Sequence, residues 1–149
     1  MASGDDVSLS APYEIAFPFE RTVGPLVGTF LGGLRDRRLF GVRTPRGTVL
    51  CPPPEFDPIT GEELFELVEL EPAGTVAMWT WVPSRPGDPV AHAFAWALVA
   101  IDGTEGSFFH AVDVGGDPAR LRPGLRVRAR WADEPTGHLR DLVCFEPAQ

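Results

Sequence analysis

GTVAMWTWV (residues 74–82) and the three runs that follow it decide the fold. The stretch is rich in β-branched and aromatic residues, which fit a pleated, half-buried strand. In AHAFAWALVAI (residues 91–101), His92, Phe94, Trp96 and Leu98 fall on one face, and Ala91, Ala93, Ala95 and Ala97 on the other, a period of two. FFHAVDV (residues 108–114) alternates Phe108, His110, Val112 and Val114 with its other positions. LRVRARW (residues 125–131) alternates Leu125, Val127, Ala129 and Trp131 strictly with Arg126, Arg128 and Arg130. Ribbons of this kind have one buried and one wet face. Residues 138–145 read as a last strand, and turn-forming residues fill 83–89, 102–106 and 133–137. A longer excursion, 115–124, separates the third and fourth strands. The class is mainly β, and five short strands with one long link suit a Greek-key barrel of the OB type. An SH3-like barrel or a small open sheet is the competing arrangement.

Composition narrows the function. The 149 residues suit one domain with a real core. No apolar run reaches the roughly 20 residues of a membrane-spanning helix, and no basic segment followed by an apolar one marks a secretory signal. The net charge of −8 disfavours general binding to nucleic acid, whose affinity comes largely from neutralised phosphates. All 13 basic residues are arginine, so Schiff-base chemistry, which needs an amine nucleophile, is excluded. Cys51 and Cys144 lie far apart and read as free thiols of a cytoplasmic protein.

Upstream of the strands, Val23, Leu26, Val27, Phe30, Leu31 and Leu34 recur at helical spacing. Pro25 suits an early helical position, Thr22 or Gly24 a cap, and Arg35, Arg37 and Arg38 the negative end of the helix dipole. Gly24, Gly28 and Gly32 lie four apart on one face, with Gly33 beside them. Each interior glycine costs about 1 kcal/mol relative to alanine, so something must pack on this helix: its own sheet, approached closely through the glycines, or another subunit. Residues 39–60 are a proline-rich connector, and the alternation Leu64, Glu66, Val68, Leu70 predicts a strand, the first of the barrel or half of a long bent one. Pro72-Ala-Gly74 then marks a bulge or kink. The expected layout is a leader over 1–21, a docking helix over 22–38, a ribbon-like connector over 39–65 and the barrel over 66–149.

The order of these pieces resembles the OB-fold proteins associated with acyl-CoA metabolism. The matching pieces are GVR (41–43), PPP (52–54), GTVAMWTWV (74–82), FHAVDV (109–114), LRPGLRVRARW (121–131) and FEP (145–147). Proteins of that family pair an N-terminal helix and a rubredoxin-like zinc ribbon with a C-terminal OB fold. Two CxxC-Gly knuckles are usual in the ribbon; here RTPRG (43–47) and DPITG (57–61) keep the frame and lose the ligands. Arg43, Arg46, Asp57 and Thr60 stand at the four ligand positions, and a tetrahedral zinc site wants four Cys or His. The ribbon is therefore expected to hold no metal, and no cofactor is expected elsewhere. The resemblance implies a non-catalytic partner subunit of a thiolase-like, sterol-carrier-type enzyme. That enzyme would be an aldolase breaking a carbon–carbon bond in steroid side-chain acyl-CoA thioesters, so the pair is a lyase. A hetero-oligomer is implied, with two plus two as one arrangement, and neither nucleic acid nor membrane as a partner.

Catalytic constellations are scarce. His110 and Asp113 are three apart on a strand and so point to opposite faces; His92 reads as structural and His138 as exposed. There is no Gly-x-Ser-x-Gly elbow, P-loop or dinucleotide fingerprint. No catalytic residue is assigned. Partner binding is expected at Val23, Leu26, Val27, Phe30, Leu31 and Leu34, and a substrate channel or interface at Trp79, Trp81, Phe109 and His110. Two other functions remain open: a single-stranded nucleic-acid binder using Trp79, Trp81 and the Arg126, Arg128, Arg130 stripe, or a stand-alone acyl-CoA-binding protein. Elemental analysis of the purified protein is expected to find far less than one zinc per chain, with chelators leaving the unfolding midpoint in place. Stoichiometric zinc whose removal lowers the midpoint would contradict this reading of the ribbon.

Overall fold

The structure is a computed structural model that describes residues 10–18 and 22–148. Part of the expected leader, residues 1–9 and 19–21, lies outside the described residues; residues 10–18 are exposed and form neither helix nor strand.

Helix α1 spans Gly24–Arg35, with Pro25 in its first turn and Val23 at the N-cap without a capping side chain. It ends three residues before the expected limit of 38 because the chain reverses there. The Arg38 amide donates to Gly33 O at 2.8 Å and the Arg37 amide to Leu34 O at 3.0 Å. These two bonds make a Schellman closure, which needs a left-handed residue. Arg37 supplies it at φ 58°, held by its guanidinium donating to Ala132 O and Asp133 O.

Two sheets follow. Strands β1 (Leu39–Arg43), β2 (Val49–Leu50) and β3 (Leu67–Leu70) form an antiparallel sheet in the order β2-β1-β3. Strands β4 (Ala73–Val82), β5 (Phe94–Ile101), β6 (Phe108–Val112), β7 (Arg126–Trp131) and β8 (Leu142–Pro147) close a five-stranded barrel in the order β4-β5-β6-β8-β7. The β6–β8 pair is parallel and the others antiparallel; this is the OB arrangement expected from the sequence. The segment read as a loop-rich connector contains β1 and β2. The 62–71 alternation does make a strand, but it pairs with β1 in the ribbon sheet, so the barrel begins at Ala73.

The barrel is narrow, and this decides which face of each strand turns in. On β5 the inward residues are the small ones, Ala95 and Ala97, followed by Val99 and Ile101, all at most 2% exposed. Opposite them on β4 stand Trp81, Trp79 and Val76. Large rings thus stand opposite alanines across the ladder, a small–large complement in which Trp81 packs against the core cluster. A bulge at Ala77 shifts the register between Val76 and Met78, so Trp79 and Trp81 share the face of Ala97 and Ala95; Trp79, at the edge, is 36% exposed. One core cluster joins the barrel residues Val76, Phe108, Val112, Val127 and Phe145 to Phe30, Leu34, Leu39 and Cys51 of the helix and ribbon.

Adjacent glycines of α1 are expected to respond oppositely to alanine. A Cβ on Gly33 would stand 2.6 Å from the Phe40 ring, whereas one on Gly32 meets nothing within 4 Å. Gly33→Ala should lower stability by about 1–3 kcal/mol through overpacking, and Gly32→Ala should raise it by roughly 0.5–1 kcal/mol through helix propensity. Urea midpoints read both, and equal signs would refute the packing described.

Candidate functional site

The residues expected to bind a partner divide into two sets. Leu26, Phe30 and Leu34 are 8%, 5% and 0% exposed, turned into the chain's own two cores. Their reason for being apolar is internal, so they are corrected from docking residues to core residues. Val27 and Leu31 are half-buried, and Val23 is exposed. Val23 and Val27 line a surface groove of about 600 Å³ with Thr22, Gly24 and Glu55. Of the helix glycines, Gly33 lies tight against the Phe40 ring and Gly24 against the Glu55 carboxylate, whereas none of the described residues stands over Gly32.

The ribbon turns keep their shape without the ligand chemistry. Asp57, 2% exposed, accepts the amides of Ile59 at 2.7 Å and Thr60 at 3.2 Å through one carboxylate oxygen. This Asx-type turn stands where a knuckle thiolate would. Arg43 pairs with Glu66 at 2.8 Å and donates to Gly47 O; the Thr60 hydroxyl bonds Glu62; Arg46 sits 4.0 Å from Glu105. Two cations, a hydroxyl and one carboxylate do not fit a zinc ion, and among the described residues no three His, Cys, Asp or Glu gather to hold a metal.

The second expected set also divides. Phe109 is 60% and Trp79 36% exposed, while Trp81 packs against the interior cluster. His110 points inward, 9% exposed, and its Nε2 donates to Leu142 O at 2.6 Å. Burial holds its pKa below the usual histidine value, against the opposing pull of that hydrogen bond. Trp81 and His110 are therefore interior groups, corrected from the surface set, because the Ala77 bulge and the β6 alternation turn them inward.

The arginine stripe is paired. Arg126 makes two bonds of 2.7 Å to Asp102, Arg128 bonds Glu146 at 3.0 Å and Arg130 bonds Asp113 at 3.0 Å. A cation already facing a carboxylate offers little to a phosphate. Asp113, 7% exposed, also accepts from His92 Nε2 and the Gly115 amide, each at 2.8 Å. Burial alone would raise its pKa; the Gly115 amide, His92 and Arg130 together hold it below the usual carboxylate range. This His92–Asp113–Arg130 chain was not legible in the sequence, since its members lie on three separate segments. It pins the 83–93 connection to the end of β6. Both thiols are buried and pushed up to about 12, Cys51 and Cys144 alike by desolvation, so neither is a nucleophile at neutral pH.

These features define a class: an OB barrel with an appended three-stranded ribbon sheet that has, among the described residues, no cluster of metal ligands. Residues 67–132 match the family model described as "ChsH2, C-terminal OB-fold domain", which bears out on the barrel the resemblance read from the sequence. Two solved structures share the fold. One is a chain of "Ltp2-ChsH2(DUF35) aldolase", at 20% identity and TM-score 0.62, covering 87% of this chain and 100% of that one. Another is a DUF35-family protein of unknown function from Sulfolobus solfataricus, at 18% identity and TM-score 0.55, covering 71% of this chain and 78% of that one. No curated protein matches the chain. Among the described residues no helix is long and apolar enough to cross a membrane.

The buried His110 gives a pH signature. Its folded pKa lies below the unfolded value of about 6.5, so the unfolded chain binds the extra proton. Stability should be full above that value and fall as pH drops below it. His110→Gln, which keeps a donor toward Leu142 O, should flatten the denaturation midpoint between pH 7 and 5; an unchanged slope would assign the effect elsewhere.

Proposed function

We propose that this chain is a non-catalytic accessory subunit of a thiolase-like, sterol-carrier-type enzyme acting on acyl-CoA thioesters. The partner cleaves a carbon–carbon bond of a steroid side chain, and the pair works as a retro-aldolase. The observation that carries this reading is the match, over the neighbour's whole length, to a chain of an aldolase assembly. Three features of the chain itself support it. The barrel interior is filled by Val76, Val99, Phe108, Val112, Val127 and Phe145, which leaves that space to side chains rather than to an acyl group. The thiols are inert and His110 is committed to a backbone carbonyl. The one exposed imidazole held by a carboxylate, His92, ties a loop to a strand through Asp113, whose groove neighbours Gly115, Arg120 and Arg128 include no second imidazole, thiol or serine.

A nucleic-acid role has less support, since Arg126, Arg128 and Arg130 are occupied by Asp102, Glu146 and Asp113. An accessory subunit of this kind would act by stabilising its enzyme and shaping the entrance to the enzyme's acyl site.

Co-expression with the thiolase-like protein encoded nearest to this chain tests the reading. A stable hetero-oligomer is expected, with carbon–carbon cleavage of a steroid acyl-CoA appearing in the pair and absent from either component. A chain that purifies alone and binds oligonucleotide at low salt would replace this reading with the nucleic-acid one.

A further inference from the structure

We infer that the enzyme subunit seats on the outer face of β4, β5 and β6, on a row made by Met78, Leu98 and Phe109. The inference rests on the partner role proposed above and names the surface that serves it. These three residues stand directly opposite one another across neighbouring strands: Met78 pairs with Leu98, and Leu98 with Phe109. Their exposures are 66%, 37% and 60%. Trp96, two residues along β5 on the same face, stacks on Phe109 with centroids 5.6 Å apart and planes at 20°. Two aromatic rings, a methionine and a leucine thus make a continuous apolar surface.

The chain covers half of this face itself. Further along, Phe94 and Ala111 are fully buried beneath the 83–93 connection, whose Val90 is 3% exposed, together with Cys144. Trp96 lies at the border, half-buried and packed against that small cluster. The apolar face therefore runs from a covered half into a bare half, and the bare half is where a second molecule would continue the packing.

Charge selects the occupant. The outward positions of this face, Thr75, Met78, Thr80, Trp96, Leu98, Ala100 and Phe109, carry no ionisable group, in a chain that is 23% charged. Interface cores are depleted of charge and enriched in aromatics and methionine. An anionic lipid surface or a nucleic acid would need free basic residues there, and Arg126, the cross-strand neighbour of Thr75 at the end of this face, is already paired with Asp102. A second copy of this chain would bring another net charge of −8 face to face with the first, which opposes association. The fitting partner is an uncharged apolar surface on the enzyme subunit. The ladder between β4 and β7 ends at Thr75, so from Met78 onward β4 is paired with β5 alone. A partner on the row would also cover this strand edge.

The test uses the full chain and the co-expressed enzyme subunit. Phe109→Asp and Met78→Asp, both at well-exposed positions, are expected to weaken the complex at least 100-fold while the unfolding midpoint of the isolated chain stays within about 2 °C. A variant-free readout accompanies them: Met78 is the only methionine besides Met1, and its oxidation by peroxide should slow at least fivefold in the wild-type complex. Affinity retained within threefold in both variants, or unprotected Met78, overturns the row as the seat; Val23→Asp breaking the complex instead would assign docking to α1. A homodimer dissolved by Phe109→Asp overturns the choice of occupant. A wild-type chain that binds no thiolase-like subunit at all defeats the partner role itself, which the behaviour of the variants cannot mimic.

Discussion

Everything in this molecule depends on Phe30 and Leu34 entering the same core as the barrel. A helix with glycine at four of its twelve positions loses about 1 kcal/mol of propensity at each interior one and would not persist alone. Burial of a phenylalanine and a leucine returns roughly 1.5–3 kcal/mol each. The same cluster takes Leu39 and Cys51 from the ribbon segment, so the largest hydrophobic cluster joins helix, ribbon and barrel. A second contact locks the arrangement from the far side. Asp141, 3% exposed, accepts the amides of Thr136, Gly137 and His138, shaping the β7–β8 connection on which the C-terminal end of α1 rests through Arg37.

In the ribbon, a carboxylate shapes the turn at residues 57–61. In a zinc knuckle the thiolate accepts backbone amides while binding the ion; Asp57 performs the first of these tasks with one oxygen. Its other oxygen is buried without a hydrogen-bond partner among the described residues, an arrangement that costs free energy. What holds the ribbon is then β-pairing, the Arg43–Glu66 and Arg38–Glu69 ion pairs, and the apolar contacts of Leu26, Val42 and Leu64. Exposed ion pairs contribute roughly 0–1 kcal/mol each, so the apolar contacts decide.

Much of this was legible in the sequence, and the rest failed for identifiable reasons. Strict alternation located the barrel strands, because a two-residue period survives whatever the strand packs against. Alternation gives two faces without saying which is inside. On β5 the larger residues suggest an inward face of Phe94, Trp96 and Leu98, yet the narrow bore admits the alanines and sends the large side chains out. The bulge at Ala77, invisible to periodicity, then placed Trp79 and Trp81 opposite those alanines. Strand β2 has two residues and no period to detect. The helix apolar stripe was read correctly as a stripe and assigned to the wrong neighbour in part, since 3.6-residue periodicity shows that a face is covered and not by what. The hydrogen bond between His92 and Asp113 spans 21 positions and exists only through the closure of β5 on β6.

The helix and the outer barrel face are both candidates for association, and their physical chemistry is unequal. The helix offers Val23, half of Val27 and Leu31, and glycines that contribute backbone but no side-chain area. Glycine permits close approach, yet it supplies little apolar surface to remove from water, and free energy follows that area at about 25 cal/mol per Å². The barrel face offers Met78, Leu98, Phe109 and the flank of Trp96, the two rings being held by their mutual stack. Such rings lose little conformational freedom on association, so more of their burial survives as binding free energy. The rigid barrel face is thus the stronger anchor, and the thin glycine face of α1 is suited to letting a neighbouring backbone pass close beside it.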